Sequence, residues 1–347
     1  MTQSDASDWQ NLPVQVQQAL SAGWNTGAIP APALALYSRW WQLETWLRSL
    51  IYVELRSAHG SAWADGLPPN SANRQQQDAA YHYMQTPDAQ DQLAYLDASP
   101  LLQLTHDQWP LFGSYLPAQK IWAGRIEELK QIRNRIGHCR RPHEDDLDRM
   151  EQTLRDLERG ALQATSSFND HSRPNQQWSD VLVHNWVHNN HADAHLIDHA
   201  SKQYDASFRL TVSTRPWAQS PAPHDTRLGP RPGCLWHACW YFRGGRFFDL
   251  EQFWREIEID KDLIMLVCAD SASSLQVSFS ALEDQQQVSD VIGRSFESAL
   301  ANIRFTHHDE DPATWAKRFA NLDPRVHAGT PWATAHSSMR GVSLFCA

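Results

Sequence analysis

The sequence predicts an α-helical bundle over residues 33–163, followed by a smaller α+β domain with an antiparallel sheet over residues 178–305. Three observations carry that expectation. In two long segments of the first half, apolar residues recur at three- and four-residue steps, the period of a helix with one buried face. The stretch 164–177, with Thr-Ser-Ser, Asn-Asp and Pro174, reads as a linker. Beyond it, segments such as Phe208 to Ser213 alternate at two-residue steps, as half-buried strands do. A chain of 347 residues is long enough for each domain to bury its own core.

Residues 1–32 read as a lead-in with a short helix from Pro13 to Ala22. The first long helix is expected from Ala33 to His59, with Tyr37, Trp40, Trp41, Glu44, Leu47, Ile51 and Leu55 on one face and Gly60 as the stop. Glu44 is the polar member of that face: either a rim residue, or an acid facing a site and partnering an arginine. A loop at Pro68-Pro69 precedes a weaker helix from Ala72 to Gln85, and Pro100, Pro110 and Pro117 break the following region into turns. Trp122, Ile126, Leu129, Ile132 or Arg133, and Ile136 then mark one face of a helix from Ala118 to Gly137, which Pro142 prevents from continuing through Arg141. The next helix begins near Glu144, with acids in its first turn as the dipole favours, and ends at Gly160.

In the second half a helix is expected from Trp178 to Tyr204. Strands follow at Phe208–Ser213, 235–242, 263–268 and 275–279, with a hairpin turn at Gly244-Gly245 and a closing helix from Val288 to Ile303. Helices are expected on one face of the sheet. The tail, residues 306–347, shows little periodicity and is expected to be partly disordered.

Composition excludes several classes. The longest strongly apolar run, Leu263 to Ala269, is too short to span a bilayer, and the acidic N-terminus lacks the regions of a signal peptide, so no membrane association is expected. The five cysteines are odd in number and form no C-x-x-C pair, which argues against a disulfide framework or zinc ribbon and fits a reducing cytoplasm. There is no G-x-S-x-G and no Gly-rich loop ending in Lys-Ser or Lys-Thr. The sixteen tryptophans are expected mainly as core anchors, with a base-stacking role reserved for exposed ones beside a basic cluster.

Net charge is -10, which opposes bulk attraction to nucleic acid, but the charge is unevenly placed. From Lys120 to Arg141 there are seven Lys or Arg against two Glu; from Glu144 to Glu158 there are seven acids against two Arg. Two readings follow: a local phosphate site, or two helices pairing their charges.

His184, His188, His191, His195 and His199 follow steps of four, three, four and four. On a regular helix they fall within an arc of about 80° on the face turned from the core. That is either a solvated polar face or a metal- or ligand-binding one.

The most pointed chemistry lies in Arg133-Asn134-x-x-x-His138. Arginine presents a planar fork matched to phosphate oxygens, and histidine moves protons near neutrality. Together they suit metal-free cleavage of an RNA phosphodiester by its own 2′-hydroxyl, with Lys130, Arg135, Arg140 and Arg141 as candidate substrate contacts. On a regular helix Asn134 and His138 share a face, whereas Arg133 and His138 diverge by about 140°. Arg133 must therefore be brought in by local unwinding at Gly137 or by a second subunit.

Glu127-Glu-Leu-Lys-Gln-Ile-Arg133-Asn134-Arg-Ile-Gly-His138, near the end of a bundle helix, resembles the HEPN superfamily of helical ribonucleases, as does the opening helix Trp40-Trp-Gln-Leu-Glu44-Thr-Trp-Leu-Arg48. The resemblance covers residues 33–160. It implies a four- or five-helix bundle that forms a homodimer and brings two motifs into one composite, metal-independent RNase site without a cofactor. It also implies a toxin, abortive-infection or anti-phage setting, with an antitoxin or defence-system partner. His138 would be the general base or acid, Arg133 the phosphate contact and Asn134 the orienting group. One departure is Gly137: a related group carries a modified tyrosine there, so regulation by that route is not implied. Two rival readings stand beside this one, a non-catalytic HEPN-like scaffold binding RNA or protein, and a metal- or ligand-binding regulator using the His184–His199 face.

Overall fold

The structure, a computed structural model, describes residues 14–25, 29–83, 91–257, 261–304, 315, 318–319, 322–339 and 341–345. The helical half contains α1 (Val14–Asn25), α2 (Ala31–His59), α3 (Asn70–Ala79), α4 (Ala98–Asp107), the single turn α5 (Trp109–Phe112), α6 (Gln119–Gly137) and α7 (Asp146–Asn169). Gln85, where the weaker helix was expected to end, lies outside the described residues. Pro100 does not break its segment. It occupies the third position of α4, in the first turn, where its missing N–H would have had no intrahelical partner.

The long helix α2 ends where expected: Gly60 has φ +60° and its N–H returns to the Arg56 carbonyl. Its core stripe differs from the expected one. Leu36, Trp40, Leu43, Leu47 and Leu50 are buried, so Tyr37 and Trp41 turn outward and are 53% and 59% exposed. The seven-residue repeat of Leu36, Leu43 and Leu50 takes the inner seam and leaves the two aromatics outside it. On α6 the buried face is Trp122, Ile126, Leu129 and Ile132, with the Trp122 indole N–H donating to Thr105 at 2.9 Å.

Helix α7 does not stop at Gly160. It continues to Asn169, so the expected linker 164–177 begins inside a helix whose Ala164 and Phe168 are buried. Gly160 is there for close approach: a Cβ on it would lie 1.7 Å from the Tyr115 carbonyl oxygen.

The second half forms a five-stranded sheet in the order β1-β2-β5-β4-β7 from β1 (Ala206–Thr214), β2 (Cys234–Phe242), β4 (Leu266–Ala269), β5 (Ser274–Ser280) and β7 (Val326–Ala328). The expected antiparallel sheet is mixed, because β7 runs parallel to β4, pairing Val326 with Val267. The short strand β3 (Phe247–Phe248) pairs with β6 (Ile303–Arg304), so Gly244-Gly245 is a turn with φ +65° and +72° but not a hairpin.

Both faces of the sheet are covered, not one. Trp236, Ala238 and Trp240 of β2 pack with α8 (His195–Tyr204), α9 (Leu250–Glu256) and α10 (Gln285–Ala301). The alternate residue Leu235, with Leu266 and Cys268 of β4, joins the core of the bundle. A buried ion pair crosses this junction. The Arg215 and Glu54 side chains are each 0% exposed. Arg215 also donates to the Tyr115 hydroxyl (3.1 Å) and the Ala164 carbonyl (3.0 Å), while the Trp217 indole donates to Glu54 at 2.6 Å. These bonds offset the cost of burying two charges, while the Arg215 Nη1 is buried with no partner among the described residues.

The tail contributes structure where it is described. Besides β7, a turn of helix, α11 (Pro331–Thr334), sets Trp332 edge-on to Phe168 at 5.8 Å. Phe345 is buried edge-on to Trp46 at 5.5 Å. The few apolar residues of these segments fill gaps in cores built by the rest of the chain.

Nor is 178–204 one helix. It comprises a π-helical turn at Val183–Val187, Asn189 at φ +58°, a 3-10 turn at Ala192–Ala194, and α8. No helix among the described residues is long and apolar enough to cross a membrane.

Candidate functional site

The end of α6 is closed by backbone bonds. His138 is the C-cap residue, Cys139 adopts the left-handed conformation at φ +52°, and the Arg140 N–H reaches the Arg135 carbonyl at 2.8 Å. The Cys139 N–H reaches the Ile136 carbonyl at 3.1 Å, which completes a Schellman turn. Glycine normally takes that left-handed position, and a β-carbon there costs about 1 kcal/mol. The turn leaves His138 exposed, outside the helix and with no side-chain partner among the described residues.

Three of the seven cations from Lys120 to Arg141 are held in ion pairs, Arg125 and Arg135 with α7 and Lys130 within α6. Arg135 holds Asp146 with two hydrogen bonds, one of them from its Nε at 2.7 Å. Asp146 is 1% exposed and also accepts the His143 N–H at 2.9 Å. Burial would raise the Asp146 pKa, but Arg135 and the His143 N–H together hold it below the usual range. Arg125 bonds Asp156 (3.1 Å), Arg149 bonds Glu128 (2.7 Å) and Lys130 bonds Glu127 (2.8 Å). Arg135 and Lys130, expected as substrate contacts, are thus engaged within the bundle. The side chains of Arg133, Asn134, Arg140 and Arg141 make no hydrogen bond or ion pair among the described residues.

Arg133 lies back along its own helix over Gly137: a Cβ on Gly137 would be 2.9 Å from the guanidinium Nη1. The same side chain lines a pocket of about 200 Å³ with Tyr37, Trp40, Trp41, Glu44 and Arg48. Glu44 thus faces the site, but its arginine is Arg48, four residues along α2. The Trp40 indole donates to its other oxygen at 2.5 Å. With Glu44 already neutralised, Arg133 lines this pocket with no ion-pair partner among the described residues.

Ile136 and Gly137 line this pocket; His138 does not. One copy of the chain therefore presents Arg133 in a recess and His138 on the turn beyond it, in keeping with their angular divergence. Tyr37 and Trp41, whose rings lie 6.4 Å apart and which periodicity places on the buried face, form the outer wall of the Arg133 pocket. The available signal was the seven-residue leucine repeat beside them. Trp41 is also a tryptophan exposed beside a basic residue, as expected of one that stacks on a base.

The histidine row does not converge. His191 stacks on Trp186 at 4.7 Å, His188 meets the Gln176 carbonyl at 2.9 Å and His195 the Ala192 carbonyl at 2.9 Å. The breaks at Asn189 and Ala192 scatter what a regular helix would align, which removes the basis of a shared metal-binding face. Among the described residues, the group with metal-ligand proximity is His143, Asp145 and Asp146. Asp146 in that group is already bonded to Arg135.

Residues 41–160 match a family model described as Swt1-like HEPN. Neither the curated proteins nor the solved structures yield a match.

Proposed function

We propose, from the premise that residues 41–160 are a HEPN domain, that the chain acts on RNA as a metal-independent endoribonuclease whose site is completed by a second copy of the chain. The observation that carries this reading is selective pairing. Arg125, Lys130, Arg135 and Arg149 are engaged with carboxylates, while Arg133, Asn134, His138, Arg140 and Arg141 are left for an outside partner.

The chemistry follows from those groups. His138 takes the proton of a 2′-hydroxyl as its oxygen attacks the adjacent phosphorus. The bond from phosphorus to the 5′-oxygen breaks, and the proton taken up by His138 passes to the leaving oxygen. A 2′,3′-cyclic phosphate and a 5′-hydroxyl result. Arg133 neutralises charge that builds on the non-bridging oxygens, and Asn134 orients the reacting groups. Arg140 and Arg141 hold flanking phosphates.

The test is cleavage of RNA by purified full-length chain in EDTA. His138→Ala and Arg133→Ala should each reduce the rate by about two to four orders of magnitude. Full cleavage by His138→Ala would sink the proposal. A toxin or defence role predicts growth arrest on expression, relieved by Arg133→Ala or by a cognate antitoxin. A second reading, a non-catalytic RNA-binding scaffold, draws on the backbone turn that closes α6 without help from either side chain. RNA binding without cleavage would favour it.

A further inference from the structure

A second polar site lies on the face of the sheet turned toward α7. Side chains on this face form aligned rows across the strands. Arg209, Cys239, Gln276 and Cys268 pair in register, as do Thr211, His237 and Ser278, and then Tyr241 and Ser274. The opposite face carries Trp236, Ala238, Trp240 and Val277 in the apolar core. A covered sheet face rich in polar side chains is costly unless those groups are satisfied or serve a ligand. Here a pocket of about 350 Å³ lies between the sheet, the end of α7 and the segment after α11. An adjoining hollow of about 380 Å³ shares Arg209 and Tyr241 and adds Arg243.

The floor is uncharged. His237 is buried between Ser213 (2.7 Å) and Ser278 (2.8 Å), and His171 stacks on it at 4.1 Å. Burial lowers the His171 pKa to about 4 and that of His237 well below its ordinary value, so both rings are neutral at pH 7. Gln276 directs its amide nitrogen to His237 and Ser278, and its carbonyl oxygen has no partner among the described residues.

The rim is cationic. Arg173, Arg209 and Arg243 are exposed and make no ion pair among the described residues, and the Arg209 guanidinium lies 5.9 Å from the Tyr241 ring centroid. Asp270 lines both hollows as well, so three unpaired arginines face one carboxylate, and on a chain of net charge -10 that local excess of positive charge is an anion site.

We infer that this recess binds a mononucleotide. Its phosphate sits among the arginine forks, and its flat, polar base lies over the Tyr241 and Gln276 floor. The volume suits a ligand of that size, and the roof supplied by Asn169 and His336 favours a small molecule over a continuous strand. The site stands at the far end of α7, about 36 Å along that helix from Asp146, and shares no residue with the Arg133 pocket.

Titration calorimetry of the full-length chain with the four ribonucleoside monophosphates tests this. One of them should bind saturably, at one per chain. The matching nucleoside and inorganic phosphate should each bind at least about tenfold more weakly, and Arg209→Ala should weaken the nucleotide by a similar factor. Arg209 is exposed, so its replacement leaves the fold intact, which an unchanged melting curve verifies. Absence of saturable binding up to about 5 mM, or equal binding by Arg209→Ala, overturns the assignment. So does phosphate binding as tightly as the nucleotide, or binding seen with oligoribonucleotides alone.

Discussion

The Arg133 guanidinium occupies the space into which a Cβ on Gly137 would project, at 2.9 Å. Glycine at the last helical position is usually explained by helix termination, yet here Cys139 takes the left-handed turn and Gly137 stays helical. What Gly137 provides is a bare strip of helix along which Arg133 folds toward the pocket. Gly137→Ala should therefore displace the arginine while adding helix propensity worth a few tenths to about 1 kcal/mol. The expected outcome is a stability equal to or above wild type with RNA cleavage reduced at least tenfold. Urea denaturation and a cleavage assay on the same preparation check both. Undiminished cleavage would show that Arg133 need not lie there.

Two arginines two residues apart differ in their partners. Arg135 reaches Asp146, which is 1% exposed. Its loss leaves a buried carboxylate with only the His143 N–H and should cost about 1–3 kcal/mol. Arg133 has no partner to orphan, so Arg133→Ala should leave stability within about 0.5 kcal/mol of wild type. Denaturation midpoints of the two variants decide it. If Arg133→Ala proved the more destabilising, Arg133 would be a structural residue.

Stability should fall on mild acidification. His171 and His327 have pKa values lowered to about 4 by burial, and burial also holds His237 well below its ordinary value. In the unfolded chain these rings take up protons below about pH 6.5, whereas the folded state resists until pH 4 or below. The unfolded state therefore binds more protons across that window, and each ring removes up to about 1.4 kcal/mol of stability per pH unit as pH falls. Carboxylates such as Asp97 and Asp225, whose pKa values are lowered, add their loss only below their ordinary range near pH 4. Urea midpoints at pH 7, 6 and 5 should decline steadily, and His171→Gln should flatten the decline. A constant midpoint over that range would contradict neutral buried rings.

The parts of the chain legible from sequence are those where one local signal met no tertiary competitor. Helix α6 and strands β1, β2 and β5 fall within two residues of their expected ends, because periodicity and flanking breakers agree there. Gly160 misled because its cause, the Tyr115 backbone, lies 45 residues away in sequence. The histidine row misled because a regular period was assumed across a segment that Asn189 interrupts in the left-handed region. Arg133 and His138 stand out in the sequence by residue type alone. That Tyr37, Trp41 and Glu44 would wall the arginine pocket could not be read, because α2 meets α6 only through the packing of the whole bundle.

The placement of Arg133 in a recess and His138 on the turn beyond it yields a test of subunit sharing. If each site draws Arg133 from one copy and His138 from the other, neither Arg133→Ala nor His138→Ala alone retains a working site. Co-refolding the two inactive variants in equal amounts produces mixed dimers in about half of all pairings, each with one intact combination. Cleavage should then recover to about one quarter of the wild-type rate, because one of two sites works in half of the dimers. If both residues act from the same copy, every site in the mixture lacks one of them and activity stays at the level of the single variants. Recovery that scales with the fraction of mixed dimers, followed with two differently tagged copies, would establish that the divergent geometry of one chain is completed by the surface of another.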